Sequence, residues 1–351
     1  MAVRVLVVDD SAFMRRVIAD AIASQPDMEV AGVAHNGLDA LLKVEQLQPD
    51  VVTLDVEMPD MDGLTALRHL MARYPRPVVM LSSQTQHGAI TTLRALSIGA
   101  VDFVAKPSGA ISLDFSRVRE ELLQKIRAAA LARVRAQVAS TRRTPEATRV
   151  PRAKYPGAFE HLVVIGCSTG GPRALAALVP ELPAEAPTAY LIVQHMPAGF
   201  TRSLAERLDA SGPIAVREAV AGDRLEGGTA LVAPGDYHLR LSPSGAVELD
   251  QAARVHGVRP SVDVALESVS ERFGSKTVAV ILTGMGQDGA AGAAVVRQAG
   301  GHVLAEDEST CVVWGMPRAV VERGLAHRVA PLDGIAEAIA SIVSARTVSV
   351  R

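Results

Sequence analysis

The chain has 351 residues, 48% hydrophobic and 21% charged, with a formal net charge of −2. That length suits two domains with separate cores, and so even a charge balance excludes a whole-chain electrostatic case for nucleic-acid or membrane-surface binding. No run approaches a membrane span, the N-terminus enters a strand pattern rather than a signal peptide, and only Cys167 and Cys311 are present, both in apolar surroundings, which points to a reducing cytoplasm.

Residues 4–8 read as a short buried strand with Asp9 and Asp10 at its carboxyl end, and a helix-period segment follows over 11–24. The alternation repeats: strand 28–34 and helix 37–46, strand 51–54 ending at Asp55 and helix 63–73, strand 78–81 ending at Ser82 and helix 88–98. Strand 102–105 ends at Lys106-Pro107, and a last helix starts near Ser112. Such alternation predicts a doubly wound α/β fold, a parallel sheet covered on both faces, with ligands beyond the carboxyl ends of its strands. Asp9, Asp10 and Asp55 then converge with nothing in their own runs to neutralise them. Hard oxygen donors of that kind favour Mg2+, and Ser82 and Lys106 at the same edge suit a phosphoryl group.

These residues, with the Met58–Gly63 loop, resemble the receiver domain of two-component response regulators. The resemblance implies a flavodoxin-like domain in which Asp55 accepts a phosphoryl group from a histidine kinase. It further implies that Asp10, Asp55 and the carbonyl of Glu57 hold Mg2+ with help from Asp9, and that Ser82 and Lys106 sense the phosphoryl oxygens.

From Arg127 to Phe159 the character changes: three prolines appear, and eight basic residues face the single acid Glu146. The stretch begins as an extension of the last helix and continues as a polar linker. The expected division is a receiver over 1–126, a linker over 127–158 and a second domain over 159–351.

The second domain opens on the apolar run Val163-Val164-Ile165, which ends in Gly166-Cys167-Ser168-Thr169-Gly170-Gly171-Pro172. Strand, tight turn and Pro-started helix around G-x-S-x-G form a nucleophile-elbow pattern, although a Gly-rich phosphate-binding turn reads similarly. Cys167 is the rival nucleophile. A buried strand over 190–193 runs into Gln194-His195-Met196-Pro197, and a helix near 201–209 follows. Strands at 215–218 and 229–233 precede a hairpin over 238–250 that turns at Pro243-Ser244-Gly245. Helix 261–273 leads to strand 276–282, which ends at Thr283-Gly284-Met285-Gly286-Gln287-Asp288-Gly289, then a helix to about 299 and a strand at 302–305. This is a second parallel-sheet α/β domain with an antiparallel excursion.

Ser168, His195 and Asp288 all follow strand ends. A Ser hydroxyl needs a base, His titrates near neutrality, and a carboxylate fixes the imidazole tautomer. The order Ser, His, Asp differs from that of the α/β-hydrolases. N–H groups near Thr169 and Met285 are placed for an oxyanion hole. His238 and His256 are rival bases, Asp288 reads equally as a helix N-cap, and Gly284–Gly289 also fits a dinucleotide loop. A helix-turn-helix output has no basic recognition helix to support it.

Gly166–Pro172, Gln194–Pro197, Arg259-Pro260-Ser261-Val262-Asp263, Thr283–Gly289 and Trp314-Gly315-Met316-Pro317 resemble the chemotaxis protein-glutamate methylesterases, the CheB family. With the receiver in front, the resemblance spans nearly the whole chain. It implies hydrolysis of glutamate γ-methyl esters on methyl-accepting chemoreceptors, deamidation of receptor glutamines, no cofactor for the esterase step, and an unphosphorylated receiver that obstructs the active site. It implies neither a nucleic-acid partner nor membrane insertion. A phospho-regulated binding protein that sequesters a receptor without turnover is the alternative.

Overall fold

The computed structural model describes residues 2–83, 85–106, 114–132 and 157–344, and the chain divides into two compact units, Met1–Arg142 and Arg143–Arg351. Pro107, the expected helix start at Ser112 and most of the expected linker, 133–156, lie outside the described residues.

In the first unit β1 (Val3–Val8), β2 (Met28–Ala34), β3 (Val51–Asp55), β4 (Val78–Ser82) and β5 (Asp102–Ala105) alternate with α1 (Ala12–Ala23), α2 (Gly37–Leu47), α3 (Gly63–Arg73), α4 (Gln86–Ile98) and α5 (Asp114–Leu131). Ser11, Asn36, Asp62 and Thr85 start the first four helices by accepting an N–H three residues on, satisfying donors that a helix leaves open. The strands form one parallel sheet in the order β2-β1-β3-β4-β5. Every residue of β3, β4 and β5 is buried, as expected of strands covered on both faces. The order reverses between β1 and β3, which opens the crevice where such sheets bind ligands. Asp9 and Asp10 follow β1, and Asp55 ends β3.

The second unit carries β6 (His161–Cys167), α6 (Gly171–Leu178), β7 (Thr188–Gln194), α7 (Phe200–Asp209), β8 (Ala215–Glu218), β9 (Thr229–Val232), β10 (His238–Leu241), β11 (Val247–Asp250) and α8 (Val262–Phe273). Then come β12 (Thr277–Ile281), α9 (Ala290–Gln298), β13 (His302–Glu306), α10 (Met316–Glu322), β14 (Arg328–Ala330) and α11 (Leu332–Ser344). Seven strands form a parallel sheet in the order β14-β13-β12-β6-β7-β9-β8. The antiparallel excursion is confined to the β10–β11 hairpin; β8 and β9 extend the parallel sheet.

Alternate strand residues point to opposite faces. Leu162, Val164, Leu191, Val193, Ala279, Ile281 and Val303 therefore share one apolar cluster with Val262, Leu266 and Val269 of α8, Ala293 and Val296 of α9, and Leu239 of the hairpin. The approach of α8 is close: a Cβ at Gly166 would lie 2.5 Å from Val262 Cγ1, so the strand needs glycine there. That contact brings the N-terminus of α8 to the carboxyl edge of β6, where Ser168 begins the turn.

Candidate functional site

The register of β6 with β7 ends at Cys167 opposite Gln194, which makes Ser168 and His195 the next facing pair. The His195 N–H continues the ladder to Cys167 O at 3.1 Å. On the other side of β6, Leu282 N–H reaches Gly166 O at 2.9 Å and Ser168 N–H reaches Thr283 O at 3.0 Å. The loops carrying Ser168, His195 and Asp288 thus fan out from three adjacent strands. At Gly170 the backbone takes φ 82°, and a Cβ would meet Val312 Cβ at 2.6 Å, so both conformation and space demand glycine. The buried Gln194 amide ties the first two loops, donating from Nε2 to Ser168 O at 3.0 Å and His195 O at 3.1 Å.

Asp288 is buried beside these loops. Its Oδ2 meets His195 Nε2 at 2.8 Å and Val262 N–H at 2.7 Å. Its Oδ1 accepts Ser261 Oγ at 2.8 Å, Asp263 N–H at 3.0 Å and Gly289 N–H at 3.1 Å. The carboxylate therefore sits on the open donors of α8, a different helix from the one it precedes. Burial pulls its pKa upward, but His195 and the Val262 and Asp263 N–H groups outweigh that and hold it well below the usual carboxylate range. Since a carboxylate only accepts, His195 Nε2 carries the proton and Nδ1 is left as the acceptor. Ser168 lies half-buried at the same edge.

Thr283 braces the region from below. Its N–H donates to the buried Glu306 carboxylate at 2.8 Å, and its Oγ1 lies 3.0 Å from both Thr169 O and Val313 N. Thr169 is buried, while Met285 is 37% exposed and, among the described residues, its N–H has no acceptor. Cys167 is fully buried, donates to Gln194 Oε1 at 3.1 Å, and has its thiol pKa driven far up by burial and then by Glu306, so no reactive thiolate forms there. His238 is buried with Nε2 3.1 Å from Ala253 O, and His256 Nε2 lies 3.1 Å from Asp263 Oδ2. Each rival base has a partner other than Asp288.

In the first unit Asp9, Asp10 and Asp55 present carboxylate oxygens within 4.8 Å of one another. Nothing in their own runs neutralises them, but Lys106, expected at the same edge, does: its Nζ lies 2.9 Å from Asp9 Oδ2 and 2.7 Å from Asp55 Oδ2. The cation arrives from the end of β5, two strands away from β3; its place at this edge was legible in the sequence, its pairing with Asp9 and Asp55 was not. Burial pushes the Asp55 carboxyl up to about 6, with the Lys106 charge pulling the other way. Burial also disfavours the Lys106 ammonium, but Asp55 and Asp9 prevail and hold its pKa above the ordinary value. Three oxygen donors against one ammonium still fit a hard divalent cation such as Mg2+. The buried Ser82 hydroxyl donates to Gly88 O at 3.2 Å, and Glu57 N–H makes a long 3.5 Å contact to Asp55 Oδ1.

Gln194, Asp263, Thr283 and Glu306 carry the site together and had no role from sequence alone. Gln194 and Glu306 did have a signal, a polar residue closing an apolar strand at the carboxyl edge. Asp263 had only its place in the Arg259–Asp263 stretch, since it lies in the first turn of a helix and not at a strand end.

Among the described residues no helix is long and apolar enough to cross a membrane. The family models that match are "CheB methylesterase" over residues 163–339 and "Response regulator receiver domain" over residues 5–114. A protein-glutamate methylesterase/protein-glutamine glutaminase of Symbiobacterium thermophilum is 54% identical over 351 residues, covering 97% of each chain. One from Thermotoga maritima with the same description is 48% identical, covering 97% of this chain and 98% of that one. The crystal structure of the Thermotoga maritima CheB methylesterase catalytic domain matches with TM-score 0.50 and 47% identity, over 53% of this chain and 98% of that one.

Proposed function

Because this chain belongs to the CheB methylesterase family, we propose that it is a phosphorylation-regulated serine esterase acting on glutamate γ-methyl esters of methyl-accepting chemoreceptors in the cytoplasm, and on receptor glutamines by deamidation. The observation that carries the reading is the 2.8 Å His195–Asp288 contact at the strand edge where Ser168 and His195 each follow the last paired residues, Cys167 and Gln194. With Nε2 committed to Asp288, His195 Nδ1 takes the Ser168 proton as Oγ attacks the ester carbonyl. The Thr169 and Met285 N–H groups stabilise the oxyanion. His195 returns the proton to the departing methanol, or to ammonia when the substrate is glutamine. Water, deprotonated by the same nitrogen, then cleaves the acyl-enzyme and regenerates Ser168. Asp288 holds the tautomer and offsets the imidazolium charge.

Residues 1–126 serve as the receiver, 127–158 as the linker and 159–351 as the catalytic domain. Asp55 is the phosphoacceptor for a histidine kinase. Asp10, Asp55 and the Glu57 carbonyl, with Asp9, would hold Mg2+, which supplies positive charge against the incoming phosphoryl oxygens. Lys106 would exchange part of its pairing with Asp55 for the new phosphoryl group, and Ser82 would turn from Gly88 O toward it.

The test is methanol release from methylated receptor, with and without a small phosphodonor. Wild-type chain should release methanol faster with the donor, and Ser168→Ala should lose activity by about three orders of magnitude or more. Receptor binding without any methanol release by wild type would instead favour a sequestering protein.

A further inference from the structure

Two buried carboxylates, not one, stand behind His195. Asp263 lies in the first turn of α8, whose N-terminus Asp288 caps. Asp263 in turn accepts Gly289 N–H at 2.9 Å and Gly292 N–H at 2.7 Å through Oδ1, so it caps α9, whose approach loop carries Asp288. The two helices cap each other, and Gly289 N–H is divided between the carboxylates. Oxygens of both, and a nitrogen of His256, lie within 4.8 Å of one another.

Two full negative charges this close and this buried would repel strongly. The donors are unequal. Asp288 receives Ser261, Val262, Asp263, Gly289 and His195, whereas Asp263 receives Gly289 and Gly292 on one oxygen and faces His256 Nε2 at 3.1 Å with the other. No other charged side chain lies in the first turn of either helix. In the 254–259 loop Arg254 and Arg259 are both engaged by Asp236, at 2.6 and 2.8 Å.

We propose that Asp263 is a positioning residue that works uncharged: its Oδ2 carries a proton and donates it to His256 Nε2, while the neutral ring keeps its own proton on Nδ1, so that Asp288 is the sole net charge behind His195. Burial raises the Asp263 carboxyl, with the Asp288 charge adding and the Gly292 N–H and the His256 contact opposing, in the net direction this requires. Asp263 thereby fixes the Asp288–Gly289 turn without competing for the imidazolium. The inference rests on the assignment of Asp288 to the triad.

The experiment compares kcat and KM of full-length wild type, Asp263→Asn, Asp263→Ala and Asp288→Asn for methanol release at neutral pH. Asn keeps an oxygen for Gly289 and Gly292 and is uncharged, so Asp263→Asn should stay within about fivefold of wild-type kcat, less than one net hydrogen bond. Asp263→Ala frees the turn and should lower kcat about ten- to a hundredfold with KM little changed. Asp288→Asn should lose about three to four orders of magnitude. An Asp263→Asn protein as slow as Asp263→Ala, or an Asp263→Ala protein as fast as wild type, overturns the inference while leaving the triad standing. Wild-type kcat in Asp288→Asn overturns the triad and the inference together. Should Asp263→Ala not fold, Asp263→Asn decides alone: near-wild-type kcat supports the neutral partner, and a large loss refutes it.

Discussion

Replacing Asp55 by Asn should stabilise the first unit near neutral pH, although Asp55 forms an ion pair. The residue is 3% exposed, and its carboxyl is raised from 3.8 to about 6 by burial, a value that already contains the attraction of Lys106. A carboxyl that titrates higher when folded than when unfolded binds protons more tightly in the folded state. Stability therefore falls as pH rises from about 4 to about 6 and levels off above. A rise of that size corresponds to about 3 kcal/mol, the ceiling of the gain from Asn, with about 1–3 kcal/mol expected at pH 7.5 and almost none at pH 4. Lys106 keeps Asp9 at 2.9 Å, so the substitution leaves no isolated ammonium. Urea unfolding of the full chain in metal-free buffer, followed by far-ultraviolet circular dichroism, measures this. The single tryptophan, Trp314, belongs to the second unit, so its fluorescence marks the transition that should not move. Equal stability at pH 7.5, or a loss that grows with pH, would refute the reasoning and make the Lys106 pair a net stabiliser of ionised Asp55.

Asp55→Asn should also abolish labelling by a small phosphodonor, and wild-type labelling should require Mg2+; equal labelling of the variant would move the phosphoacceptor to Asp9 or Asp10. His195→Ala should lose esterase activity about as completely as Ser168→Ala, whereas His238→Ala should keep most of it; the reverse result would identify the wrong base. Removing residues 1–142 should raise basal methanol release about five- to 150-fold and abolish the response to phosphodonor, the range of a typical coupling energy. Equal rates of the two folded proteins would leave the receiver as a recruiting module.

Much of the site was legible because its chemistry is local to strand ends. Asp9, Asp10, Asp55, Ser82 and Lys106, like Ser168 and His195, directly end or follow apolar strand runs, and a parallel sheet gathers such positions at one edge. The alternating helix-period pattern likewise marked α1 to α4 within a few residues. The C-terminal α10, β14 and α11 were not anticipated: α10 and β14 are runs of 7 and 3 residues with little periodic signal, whereas the 13-residue α11, with Ile335, Ala338, Ile339 and Val343 on one buried face, did carry a readable helical period.

The amino-acid sequence by itself determined the two α/β units, the strand-end residues and the glycines at 166 and 170. Tertiary structure alone decided that β12 pairs with β6, bringing the Asp288 loop beside Ser168, and that Asp288 rests on α8 with its Oδ2 on His195 Nε2. It also decided that Lys106 stands between Asp9 and Asp55, and that Asp263 and Asp288 cap each other's helices. The division has a physical cause. Burial pattern, turns and caps follow from residues a few positions apart, whereas strand order and the sharing of one proton or one N–H between groups distant in sequence depend on which surfaces pack, and packing leaves no local trace in the chain.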